Sequence, residues 1–208
     1  WRYIARNLGQ FLAAAAVVMG GILVYVSMSS SYYNLGQARD DFYRENRFAD
    51  YNFVFVKAPE GIIKQIDMLD GIKEATGRIQ RDLPIIKDNE ERATARVVSF
   101  GLPMAESLNQ LSIVEGRSFE AKQGSGATEV VLDPKYLRAN ELGWGDELTA
   151  IVEGKEVFFT VVGAAISPEL IYAMKDNADI LPDPLKFGIF MVENRQAQQI
   201  LNMPGQIN

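Results

Sequence analysis

Neither cysteine nor histidine occurs in this chain of 208 residues. Their absence removes disulfides, thiol nucleophiles, the commonest general base at neutral pH and nearly every zinc or copper site. Positive charge is also in short supply. The 21 Lys and Arg stand against 27 Asp and Glu, a net charge of −6, which leaves no basic footprint for nucleic acid. No Gly-x-x-x-x-Gly-Lys-Ser/Thr loop, no Gly-x-Gly-x-x-Gly after a strand and no nucleophile elbow is present. A hydrolase using Ser or carboxylates would have to work without histidine. The chain is therefore not expected to be an enzyme, and no catalytic, cofactor-binding or metal-binding residue is assigned.

What is present is unevenly placed. Only Arg2 and Arg6 precede Arg39, and every acidic residue lies at or after Asp40. Setting those two aside leaves 19 basic against 27 acidic residues, or −8, for the remainder. Between Arg6 and Arg39 no side chain is charged, and residues 11–28 form an almost unbroken apolar run. Eighteen residues at 1.5 Å rise span about 27 Å, close to the hydrocarbon thickness of a bilayer. Trp1 and Tyr3 suit one interface, Tyr32 and Tyr33 the other. Arg2 and Arg6 predict a cytoplasmic N-terminus, with the main body outside the cell membrane. Two other readings of the run stay open: a secretory signal peptide ending near Ser27, Ser29 and Ser31, and a buried core helix. Ala13 to Ala16 and Gly20-Gly21 would let another helix approach closely in lipid.

Beyond the span, residues 34–48 read as a helical stalk rich in charge, and the rest as a domain covering residues 49–208. Tyr51-Asn52-Phe53-Val54-Phe55-Val56 has the composition of a strand, and Pro59 is placed to open a helix reaching Gly71. Residues 72–86 and 92–100 predict one antiparallel hairpin. Residues 146–152 and 157–163, joined by Glu153-Gly154-Lys155, predict another. A short strand at 129–132, a helix from Pro134 to Leu142, a strand at 186–192 and a last helix capped by Asn194 complete an α+β body of antiparallel hairpins and helices, in one lobe or two. Residues 122–126 and 175–184 are the expected flexible segments.

Few constellations suggest chemistry. The pairs Asp40-Asp41 and Glu90-Glu91 are sequence neighbours and read as solvated faces. Asp146-Glu147 after Gly143-Trp144-Gly145 offers oxygens to a calcium ion, yet a helix exit explains the glycines without one. The run Ser167-Pro168-Glu169-Leu170-Ile171-Tyr172 displays an apolar triplet after a strand-stopping proline. We select Pro168, Glu169, Leu170, Ile171 and Tyr172 as a segment for partner or substrate contact, with core packing as the competing reading.

The pieces also have a familiar order. The chain opens with Trp1-Arg2-Tyr3-Ile4-Ala5-Arg6-Asn7 and a long apolar helix, and Phe48-Ala49-Asp50 then leads into a strand. Residues 111–117, ending Glu115-Gly116-Arg117, come before Glu129-Val130-Val131-Leu132. Leu142-Gly143-Trp144-Gly145-Asp146, Phe159-Thr160-Val161-Val162-Gly163, the run from Ser167 to Tyr172, Pro182-Asp183 and Phe187-Gly188 follow. Over nearly the whole chain this resembles the FtsX-like permeases of mechanotransmission ABC transporters, including the MacB and lipoprotein-release types. The resemblance implies an N-terminal fragment: residues 1–33 as cytoplasmic tail and first membrane helix, 34–48 as stalk, and 49–208 as a MacB-like extracytoplasmic core. It implies a separate ABC ATPase subunit, a second permease copy or half, membrane lipid and an extracytoplasmic adaptor or substrate protein as partners. ATPase-driven motion would export or extract a lipoprotein, lipid, peptide or drug, or activate an outer partner. Residue patterns alone also allow a single-pass, membrane-anchored binding or sensory module.

Overall fold

The computed structural model describes residues 2–87, 92–104, 107–120, 126–170 and 183–208. The chain divides into two units, residues 1–45 and 46–208. The first holds α1 (Arg2–Arg6) and α2 (Leu8–Glu45). Helix α2 has Ala and Leu as strong helix formers, contains no proline, and runs unbroken for 38 residues, about 57 Å. Its apolar window is long and hydrophobic enough to cross a membrane, and none of that window is buried. The run is therefore not a core helix within these 208 residues. The expected stalk continues the same helix but stops at Glu45, before Phe48; Arg47 adopts a left-handed φ of 50°.

The second unit is built on β1 (Ala58–Pro59), α3 (Ile62–Asp67), β2 (Gln80–Ile86), β3 (Arg92–Phe100), β4 (Ser112–Gly116), β5 (Thr128–Leu132), α4 (Pro134–Ala139), β6 (Glu147–Val152), β7 (Lys155–Ile166), β8 (Phe187–Glu193), α5 (Asn194–Ile200) and β9 (Gln206–Ile207). The larger sheet has the order β4-β7-β5-β8-β3-β2-β6, and β6 pairs in turn with β7. Six strands, β7, β5, β8, β3, β2 and β6, therefore close into a ring. Both expected hairpins are present, β2–β3 and β6–β7. The sheet is nevertheless mixed, because β3–β8 and β5–β7 run parallel.

Closure rests on β7. One of its edges carries β5. The other is shared by β6, facing residues 155–160, and β4, facing residues 163–166. Register shifts between Val130 and Val131 and between Ile113 and Glu115 bend the partners around it. The close approach needs bare backbone. A Cβ on Gly163 would stand 2.1 Å from the Arg117 carbonyl oxygen, and one on Gly116, at φ +72°, 2.6 Å from that of Val162.

Alternation along the strands sends Leu83, Ile85, Ala95, Val97, Val130, Leu132, Ala150, Phe159, Val161, Phe190 and Val192 into one core, with Tyr136 of α4 and Ala197 of α5. Each of the Val, Leu, Ile and Phe side chains contributes roughly 1.5–3 kcal/mol on burial. Strand β8 is buried on both faces: Phe187, Ile189 and Met191 meet Val98, Phe100, Leu111 and Phe119 in a second cluster. Tyr136 lies edge-on to Phe190 at 5.4 Å between ring centroids, and its ring occupies the space where a Gly188 Cβ would stand at 2.3 Å.

Four local expectations are corrected. Residues 51–56 form no strand, and the helix expected from Pro59 begins only at Ile62, because Ala58 and Pro59 pair with Ile207 and Gln206 instead. The last helix is capped by Glu193. Its carboxylate accepts the Arg195 and Gln196 N–H groups at 2.9 Å each, while Asn194 takes up the Ser99 hydroxyl at 2.8 Å. The helix from Pro134 ends at Ala139, with Asp133 as its cap.

Two measurements test this packing. Gly188→Ala should lower urea stability by more than about 2 kcal/mol, whereas Gly61→Ala, with open space around it, should change it by less than about 0.5 kcal/mol. Burial pushes the Tyr136 phenol up to about 12. Its folded-state value thus exceeds the unfolded value of about 10, so its contribution is intact below pH 10 and is lost as the pH rises toward 12. Tyr136→Phe should flatten that part of the alkaline stability profile.

Candidate functional site

The residues directly after α2 are fixed by backbone bonds. The Asn46 carbonyl accepts from the Gln110 N–H at 2.8 Å, and the Arg47 carbonyl accepts from the Asn109 N–H at 2.9 Å. The Ala49 N–H donates to the Asn109 side-chain oxygen at 2.8 Å. Asn109 does this from a left-handed φ of 50°, a conformation that asparagine tolerates better than most residues. The Arg47 guanidinium pairs with Glu74. Asn46, Arg47 and Ala49 are thus tied to the 109–110 loop, and Arg47 also to the segment after α3.

The amide nitrogen of Asn109 turns the other way and donates to Glu169 Oε2 at 2.7 Å. The other carboxylate oxygen of Glu169 is paired with Arg78. Arg78 donates to the carbonyls of Leu108 at 2.6 Å and Asn109 at 3.1 Å, and its guanidinium lies 4.0 Å from the centre of the Phe100 ring. The side chains of Arg78 and Glu169 are only 12% and 16% exposed. Burial lowers the Arg78 pKa to about 10, which still leaves it charged at neutral pH. Its own carbonyl receives the Asn208 N–H at 3.0 Å. Arg78, Asn109 and Glu169 therefore join four stretches of chain, residues 46–49, 78–80, 107–110 and 167–170, at one charged junction.

A second such pair lies on β5. Glu129, 2% exposed, receives Arg117 through both oxygens, at 2.9 and 2.6 Å, and the Glu120 N–H at 3.0 Å. That bond raises the Arg117 pKa above its ordinary value. It fastens residue 117, at the crossing over Gly163, to the sheet.

The contact segment selected from the sequence is resolved differently. Pro168 is buried, Glu169 faces inward to Arg78 and Asn109, and Leu170 packs half-buried on the second core cluster. These three are part of the body rather than an exposed contact face, because the apolar side chains find the β3–β8 core and the acid finds a cation. Ile171 and Tyr172 lie outside the described residues. The carboxylate of Asp146 accepts the Gly143 N–H at 2.8 Å, in keeping with a turn. Asp40 and Asp41 pair with Arg39 and Arg44; Glu90 and Glu91 lie outside the described residues. Among the described residues no group of three or more acids is placed to hold a metal.

Arg78 and Asn109 were not selected from the sequence. The one local hint is Asn109, a residue suited to a left-handed turn, within the polar run Ser107-Leu108-Asn109-Gln110.

No family model matches the chain. No curated protein matches it. Among solved structures, it is similar to the extracellular domain of the noncanonic ABC-type transporter YknZ from Gram-positive bacteria. The likeness covers 70% of this chain and 67% of that one, at 15% identity and a TM-score of 0.45.

Removing one member of a buried ion pair strands the other charge, at a cost of about 3–5 kcal/mol. Glu169→Leu or Arg78→Met alone should each destabilise residues 46–208 to about that extent in urea unfolding. The double variant should recover a large part of the loss. Additive losses would show that the two side chains are not coupled.

Proposed function

We propose that this chain is the membrane-anchored, extracytoplasmic part of a permease-type subunit of an ABC transporter, with its N-terminus in the cytoplasm. In this reading it makes and breaks no bonds. It receives motion from an ATPase through α2 and passes it to the outer body, where the motion exports or extracts a lipoprotein, lipid, peptide or drug, or activates an outer partner. The observation that carries the reading is one of continuity. Helix α2 runs without a break from its apolar window to Glu45, and just beyond it Asn46 is bonded to Gln110 while Arg47 and Ala49 are bonded to Asn109 of the Arg78–Asn109–Glu169 junction. A helix is stiff along its axis, and a hydrogen-bonded, ion-paired attachment lets displacement of residues 46–49 reach the sheet rather than be absorbed in a slack linker. The order of sequence segments shared with the FtsX-like permeases supports the same reading.

The test uses a tagged form of the polypeptide as the cell makes it. The absence of cysteine in these 208 residues makes single-cysteine reporters simple to place. An ATPase subunit should co-purify from the membrane. A cysteine replacing Glu153, in the exposed β6–β7 turn, should react with an impermeant maleimide from outside the cell. The reaction rate should change at least twofold when ATP is supplied to the complex, and Asn109→Ala should abolish that change without preventing ATPase association. Labelling from outside with no ATPase partner would favour the single-pass binding module. Labelling only from the cytoplasmic side would overturn both.

A further inference from the structure

Residues 46–49 are connected to the β1–β9 ribbon by a covalent route and by a bonded one, and the two differ in stiffness. The covalent route runs through residues 51–56. Tyr51, Phe53, Val54 and Val56 are 81%, 72%, 86% and 98% exposed, and no hydrogen bond joins residues 51–56 to any other described residue. A stretch with so few contacts yields at its own dihedrals, so a displacement of residues 46–49 is absorbed there before it reaches β1.

The bonded route crosses residues 78–80. Successive residues of an extended chain present their backbone groups to opposite edges. Ile79 faces β3: its N–H donates to Ser99 Oγ at 2.8 Å, and its carbonyl accepts the Ser99 N–H at 2.9 Å. Arg78 and Gln80 face the other way, along an edge that β6 leaves uncovered, since β6 pairs with β2 at Ile85 and Ile86. Asn208 takes this edge. Its N–H donates to the Arg78 carbonyl at 3.0 Å, its side-chain oxygen accepts the Gln80 N–H at 2.7 Å, and its amide nitrogen donates to the Gln80 carbonyl at 2.8 Å. A side-chain amide can accept and donate at once, so it completes the edge as a peptide group would. Three bonds fix Asn208 in position and in orientation, where one would leave a pivot. Gly77 brings the ribbon close to the same place: a Cβ there would stand 2.8 Å from the side-chain ends of both Ile63 and Ile207.

Asn208 adjoins Ile207 of β9, which pairs with Ala58 of β1. The Arg78 whose carbonyl holds Asn208 also holds Leu108, Asn109 and Glu169 through its guanidinium. The polar ties of Glu60, beside β1, lead elsewhere: its carboxylate accepts from Asn194 at 3.4 Å and Gln198 at 3.2 Å, both on α5. We propose that Asn208, through its clamp on Arg78 and Gln80, couples the β1–β9 ribbon to the charged junction, so that loosening either one loosens the other. The coupling rests on bonds within residues 46–208 and holds whether or not an ATPase drives the chain. Where one does, the ribbon is a second destination for motion of residues 46–49.

The test is hydrogen exchange on the polypeptide as the cell makes it, in lipid nanodiscs. Asn208→Ala keeps the backbone bond to Arg78 and removes the two bonds to Gln80. It should speed exchange of the Asn109 and Gln110 amides, which bond Arg47 and Asn46, at least about 10-fold. Asn109→Ala should in turn speed the Glu60 and Gln80 amides by a similar factor, because coupling between two sites acts in both directions. The amides of Val97 and Phe190, inside the sheet, should keep their rates. If Asn208→Ala does not fold, Asn208→Asp, which retains the acceptor oxygen, carries the same measurement. Changes confined to each variant's own side would overturn the proposal by showing two independent attachments. A uniform rise that includes Val97 and Phe190 would also overturn it, because the loosening would then belong to the whole fold.

Discussion

Strand β7 must satisfy three neighbours, and the fold of residues 46–208 depends on how it does so. Its twelve residues give one edge to β5 and split the other between β6 and β4, so the sheet returns on itself instead of ending in two open edges. The condition for this is steric. Residue 117 crosses so close to Gly163 that its carbonyl oxygen occupies the place of a Cβ, and the Arg117–Glu129 pair fastens that crossing. Once the ring is closed, alternate side chains from six strands can share one interior, and β8 can be buried on both faces.

The charged junction is a different kind of constraint. A buried ion pair gains little net stability over an apolar pair of equal volume, because both partners must be desolvated. Its value is in arrangement. Glu169 has two oxygens and gives one to Arg78 and one to Asn109; Asn109 uses its backbone N–H on Arg47 and its side-chain oxygen on Ala49. Any shift of residues 46–49 therefore strains a set of directional bonds that ends in the core, beside Phe100. An apolar contact in the same place would permit sliding.

Parts of this were legible in the chain. Both hairpins follow from a turn sequence between two runs of strand composition, and Pro134 marks the start of α4. The misreading at residues 51–56 is informative. Their composition describes side chains suited to a pleated surface, which says nothing about whether a partner edge is at hand. Asn194 was a reasonable cap, but Glu193, long enough to turn back from the end of β8, reaches the two N–H groups first. The junction was hidden because its bonds span 31, 60 and 91 positions, and a lone Arg, Asn or Glu carries no pattern that would pair them.

What the sequence determined by itself is what depends on neighbours along the chain. The apolar window, the unbroken α2, the hairpin turns and the exclusion of cysteine and histidine chemistry all follow from composition and spacing over a few turns or residues. Tertiary structure decided what depends on partners far away: the parallel pairs β3–β8 and β5–β7, closure through β7, the inward turn of Glu169 and the junction at Arg78. Local preference limits the conformations each segment can take. Only simultaneous burial and hydrogen-bond satisfaction across the whole body selects which segments meet, because an unpaired charge or backbone group in the interior is costly wherever it lies in the sequence.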